Sequence, residues 1–207
     1  MGDDHDTGSK SKAAKRPRTP RKASPARTLS LVIMSEDAEW TCLGDLAAGK
    51  LARRVATALA RNIKLPGRRN AATVLLSSDA HVRLLNRQWR GQDKPTNVLS
   101  FPAGSPPGRG GLGPVNLGDL ILAEETLADE AAELRITPQD HFQHLVLHGL
   151  LHLLGYDHET DAEAEAMEAL ETRILATIGV ADPYAGSVPV KRTKAARAPK
   201  RSPPRAK

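Results

Sequence analysis

The chain has 207 residues, 40% hydrophobic and 26% charged, which is enough for one domain with a sizeable core. Its single cysteine, Cys42, excludes an internal disulfide and points to a reducing compartment. No run approaches the roughly 20 apolar residues of a membrane helix, the N-terminus has no apolar signal stretch, and Asp3, Asp4 and Asp6 argue against a transit peptide, so a cytoplasmic protein without membrane contact is expected.

The net charge of +6 is unevenly placed. Residues 1–28 hold eight Lys/Arg against three Asp, and residues 185–207 hold eight Lys/Arg and no acid. Residues 29–184 are therefore acidic, at −7. Within them, residues 50–94 carry eleven Lys/Arg against Asp79 and Asp93, whereas residues 95–184 carry three basic and fifteen acidic residues. A contiguous basic face built from the first section would attract a polyanion, although a solvated helix face of scattered arginines fits the counts too. Both ends are rich in Lys, Arg, Pro, Ser and Ala and poor in residues that pack, so residues 1–28 and 185–207 are expected to be disordered basic tails around a domain at 29–184.

The domain opens on an apolar, β-rich run at residues 29–34, then a turn region with Trp40 and a helical pattern over 45–62 that sets Leu51, Val55 and Leu59 on one side. Leu65-Pro66-Gly67 ends that helix, and residues 73–77 read as a second strand. Ser78 or Asp79 can cap a helix carrying Val82, Leu85 and Trp89. A short strand follows at 97–101, then a Gly/Pro-rich loop at 102–114 expected to be a mobile flap, which lacks the spacing and lysine of a phosphate-binding loop. A strand at 117–122 precedes helices at 123–134 and 138–154, the latter with Thr137 as N-cap and Pro138 in the first turn. A last helix at 161–178 turns Met167, Leu170, Ile174 and Ile178 inward and stops at Gly179. Alternating strands and helices indicate an α/β (α+β) fold, a small mixed sheet of about four strands packed with helices.

The chemistry concentrates in His144-Leu-Val-Leu-His148-Gly-Leu-Leu-His152-Leu-Leu-Gly155-Tyr-Asp-His158. His148 and His152 lie four apart on a predicted helix, one turn above each other on the same face. Gly155 ends the helix in a left-handed conformation and returns the chain so that His158 can reach the same point. Three imidazoles leave one tetrahedral position of a zinc ion open for water, whose pKa the ion would lower to about 7. One zinc ion per chain at the end of a central helix is the expectation, although three histidines also suit nickel, cobalt or copper. The spacing matches the metzincin peptidase pattern, except that Gly149 stands where those enzymes need a glutamate base, so peptide hydrolysis by that route is not expected. His144 reads as a supporting or packing residue. Asp157 is read as orienting a ligand, accepting a proton or completing the turn, and Asp119 chiefly as a turn residue.

Together with Leu85-Asn86, Trp89-Arg90, Lys94-Pro-Thr-Asn-Val-Leu-Ser-Phe-Pro102, Leu117-Gly-Asp-Leu120 and Asp182-Pro-Tyr184, this block resembles the YbeY endoribonucleases. The resemblance runs through most of the domain and leaves the tails out. It implies a mixed sheet and helices around a cleft. It also implies a metal-dependent, single-strand-selective endoribonuclease of small-subunit rRNA 3′-end maturation and ribosome quality control, with single-stranded RNA, ribosomal RNA and the small ribosomal subunit as partners. The first metal histidine and an arginine after the Leu-Asn motif matter most in that family, and they correspond to His148 and Arg90. Trp89 stands where tyrosine is common, a departure that touches aromatic contact in the cleft.

Phosphodiester cleavage builds negative charge on phosphoryl oxygens, which a zinc ion and a guanidinium can neutralise together, and Arg90 suits a bidentate phosphate contact. Two other readings stand beside this one. In the first, the chain is a ribosome assembly factor that binds rRNA or ribosomal protein through its basic segments, with a mainly structural metal. In the second, it hydrolyses an amide or ester.

Overall fold

The computed structural model describes residues 26–36, 40–43, 48–104 and 113–185. The predicted tail disorder, the start of the helix expected from residue 45, and the flap's middle, 105–112, lie largely or wholly outside these residues. In chain order the elements are β1 (Thr28–Ser35), a 3-10 turn (Thr41–Leu43), α1 (Ala48–Asn62), β2 (Arg69–Ser77), α2 (Asp79–Arg90), β3 (Val98–Pro102), β4 (Val115–Ala123), α3 (Glu124–Leu134), α4 (Pro138–Leu153) and α5 (Asp161–Ala176). The expected mixed sheet of four strands is present, in the order β1-β2-β4-β3. β1, β2 and β4 run parallel and β3 returns antiparallel against β4.

Side chains on a strand alternate between the sheet's faces, and here the alternation sorts two cores. Val74, Leu76, Val98, Leu120 and Leu122 face the main core, where Leu51, Val55 and Leu59 of α1 meet Phe142, Val146 and Leu150 of α4 and Ile174 of α5. Leu99, Ile121 and Phe101 face the other way, onto Val82 and Leu85 of α2. Coverage of that second face is partial, since Val32 and Met34 on the edge strand β1 remain more than half exposed. Trp89 follows Val82 and Leu85 along α2. It is 53% exposed and meets Phe101 edge-on, 5.9 Å between ring centroids.

α4 is buried nearly all round, as a helix at the centre of an α/β layer must be if its sequence is apolar on every face. Its start is fixed as the sequence predicts, with Thr137 accepting from the Asp140 N–H and Pro138 in the first turn. α5 starts with a capping box that the sequence reading did not single out, Thr160 and Glu163 each serving the other's backbone N–H. Gly155 and Gly179 take φ values of +91° and +71°, as expected after α4 and α5. Asp119 lies within strand β4 rather than in a turn, paired with Thr73 and Phe101. Among the described residues no helix is long and apolar enough to cross a membrane.

Candidate metal centre

His148 and His152 leave the last turns of α4 on one face, and the Gly155 turn brings His158 back to them. Ligand-capable atoms of the three lie within 4.8 Å of one another. The imidazoles pack as a cluster, with ring centroids 4.6 Å apart for His148 and His152 and 5.0 Å for His152 and His158.

Hydrogen-bond partners fix which nitrogens face inward. The Nδ1 of His152 lies 3.0 Å from the carbonyl oxygen of Tyr156, an acceptor only, so Nδ1 carries the proton. The Nδ1 of His148 lies 2.8 Å from Oε1 of Glu171, which likewise assigns the proton to Nδ1. Both Nε2 atoms then present lone pairs, and they lie 3.1 Å apart. Two acceptors at that separation repel unless a proton or a cation sits between them, so the donor set fits a metal ion bound through nitrogen. Burial first, then the neighbouring imidazoles of His148 and His158, lower the pKa of His152, which favours the neutral, ligating form.

Glu171 is the residue that sequence reasoning missed. It projects from α5 into the core at 0% exposure. Burial alone would raise its pKa, but hydrogen bonds from His144 and His148 and their charge outweigh this and bring it down to about 2. The signal was available: Glu171 sits one turn after Met167 on the inward face of α5, where an acid is out of place unless it has partners. His144, Glu171 and His148 form a second ligand-capable group, but its atoms are engaged in hydrogen bonds with one another. That makes it a support for the first group rather than a rival site.

Arg90, the last residue of α2, lines the same cleft as His148, His152 and His158, a cavity of about 580 Å³ shared with Thr96, Asn97 and Ser100. A hydrogen bond from the Asn86 side chain to the Lys94 carbonyl, 2.8 Å, closes the loop after α2, and the Asn97 amide reaches Glu130 of α3 at 2.9 Å. Glu130 also receives His141 of α4 at 2.7 Å, so one carboxylate joins the cleft wall to the helix that carries the histidines. Asp157 accepts from the His158 backbone N–H at 2.9 Å, which completes the turn. The histidine site and Arg90 thus come together, whereas Trp89 lies on Phe101.

Gly149 has a packing reason. A Cβ there would sit 2.7 Å from Leu120 Cδ2 and 3.3 Å from the Ser100 hydroxyl, so any larger side chain, glutamate included, would require the buried Leu120 side chain to shift.

The fold is thus an α/β sheet beneath a helix that ends in three converging imidazoles able to hold a metal ion, with Arg90 lining the same cleft. The family model described as "Endoribonuclease YbeY" matches residues 31–179. The chain belongs to that family. It is 46% identical over 157 residues to "Endoribonuclease YbeY" of Azorhizobium caulinodans, covering 76% of this chain and 97% of the relative. It is 54% identical over 123 residues to the protein of that name from Allorhizobium ampelinum, covering 57% of this chain and 70% of the relative. A solution structure from Thermotoga maritima aligns with 79% of this chain and 100% of its own at 25% identity and a TM-score of 0.46.

Proposed function

We propose that this chain is a cytoplasmic, single-strand-specific endoribonuclease of small-subunit rRNA 3′-end maturation and ribosome quality control, with one zinc ion held by His148, His152 and His158. The observation that carries this reading is the cleft in which two inward Nε2 atoms 3.1 Å apart face the same space as Arg90. Family membership supplies the substrate class.

A bound zinc ion supplies Lewis-acid polarisation and an acidified water. The chain's own residues do the rest. Arg90 offers a planar fork to the phosphoryl oxygens, where charge grows during cleavage. Thr96 and Ser100 line the wall beside it. A groove of about 550 Å³ continues from the cleft past Gly155 and Tyr156 to Lys64 and Asn116, giving the flanking strand a path toward the basic loop after α1. Such a trough suits one strand with its bases turned out, whereas the reading edges of a duplex are paired.

The test is cleavage of a single-stranded RNA carrying the 3′ end of small-subunit rRNA by purified, tag-free protein. Cleavage should occur, stop on chelation, return with zinc and be absent in His148→Ala. Undiminished cleavage by nuclease-free His148→Ala protein would overturn the reading.

A further inference from the structure

The Asp182-Pro183-Tyr184 stretch closes on the candidate metal centre from behind. Glu171 receives three donors: His148 Nδ1 on Oε1 at 2.8 Å, and His144 Nε2 at 3.3 Å and the Tyr184 hydroxyl on Oε2. Tyr184 comes from a turn beyond α5 that Asp182 organises. The Asp182 carboxylate accepts from the Thr172 hydroxyl at 2.9 Å and from the Tyr184 N–H at 3.0 Å, and its carbonyl accepts from the Ala185 N–H at 3.2 Å. The tyrosine ring lies edge-on to His144, 5.6 Å between centroids.

We propose that Tyr184 is a positioning residue of the metal centre: its hydroxyl fixes the Glu171 carboxylate, which in turn holds His148 with Nε2 facing His152. This rests on the tri-histidine reading above. The terminal torsion of a glutamate is broad, so a carboxylate keeps one orientation only where its surroundings impose it. Packing is incomplete here, because a cavity of about 200 Å³ borders His144, His148, Glu171 and Tyr184. A hydroxyl on Oε2 stops the rotation that would swing Oε1 away from His148. With Oε1 in place the imidazole of His148 keeps its proton on Nδ1 and its lone pair toward the cleft. The inference thus assigns the C-terminal turn to the metal site, reaching the ligand through one intervening side chain.

The experiment measures zinc affinity by chelator competition in native buffer, the absorption spectrum of the cobalt(II)-loaded protein, and the urea midpoint of the metal-free protein. It compares wild type, Tyr184→Phe, Glu171→Gln and Asp182→Ala. Losing a support of this kind weakens metal binding by about 10–100-fold. Glu171→Gln should fall in that range and Tyr184→Phe near its lower end, with an altered cobalt spectrum in both. A merely structural role would lower the urea midpoint and leave the folded protein's affinity and cobalt spectrum as in wild type, and that result for Tyr184→Phe would overturn the inference. Should Tyr184→Phe fail to fold, Asp182→Ala, which loosens the turn without touching the carboxylate, is read in the same way. Wild type that takes up neither zinc nor cobalt would overturn the tri-histidine reading itself, which separates the two failures.

Discussion

At Arg90 charge and shape make separable demands. Lysine keeps the charge but not the planar fork that grips two phosphoryl oxygens, and alanine removes both. If Arg90 stabilises the transition state, Arg90→Ala should lower kcat by about 100-fold or more, the usual loss for one stabilising donor, and Arg90→Lys should recover only part of it. Zinc content should be unchanged in both, because no ligand atom comes from this residue. Steady-state kinetics on a short single-stranded RNA, with metal analysis alongside, check this. A loss confined to KM would assign Arg90 to uniform binding instead. Residue spacing singled out the three histidines, since their grouping is local to the end of one helix and its turn, whereas Arg90 was singled out through the family resemblance. Glu171 was legible only as an acid on the inward face of α5, not as a partner of His148. Which residue it serves depends on α5 packing against α4, a long-range fact that the spacing within α5 does not express.

Elements show a similar division between local and distant causes. Helix α4 could be read closely because Thr137, Pro138 and Gly155 punctuate it in the chain itself. Strand β2 begins at Arg69, four residues before the sequence pattern suggested, because Arg69–Ala72 pair with Thr28–Leu31. Exposed Arg69 gives no alternation signal of its own. The Gly155 turn allows a direct test. Space is not limiting there, as a Cβ would meet nothing within 4 Å, but its φ of +91° is unfavourable for any L side chain. Gly155→Ala should cost about 1 kcal/mol or more of folding stability and should loosen zinc, because the turn aims His158. Urea denaturation and chelator competition give the two numbers. Glu130 offers a second test, since it ties Asn97 at the entry to β3, α3 and α4 together. Burial would raise its pKa, but the hydrogen bonds from His141 and Asn97, with the charge of His141 and His144, leave it below the ordinary 4.5. A carboxyl lowered on folding contributes stability above pH 4.5 that is lost as pH falls through its folded value. Urea midpoints of the metal-free protein should therefore drop on acidification below that point, and drop less in Glu130→Gln. Equal acid sensitivity in both would remove Glu130 from the account.

For the molecule as a whole, charge is separated along the chain. The basic residues of 50–94 lie on α1, β2, α2 and their connections, while the acidic residues of 95–184 fall mainly on α3 and α5. Binding of RNA should accordingly weaken as salt rises, with a slope set by the number of phosphates neutralised. A chain trimmed to residues 26–185 loses most of the terminal Lys and Arg but none of the described residues that line the cleft. It should cleave a short oligonucleotide at the full-length rate and show a shallower dependence of log Kd on log salt. An unchanged slope would mean that the tails contribute no phosphate contacts, and a lost rate would place part of the site within them.

The C-terminal turn also has a consequence in time. The three imidazoles lie within eleven consecutive residues, so a growing chain holds all of them once His158 has been added. Glu171 follows thirteen residues later and Tyr184 another thirteen after that. Translation runs from the N-terminus, so the ligands are synthesised before the groups that aim them. A polypeptide interrupted between these points carries the three proposed ligand histidines without the clasp that would order them. Full assembly of the proposed centre thus reports that the ribosome has read at least as far as Tyr184.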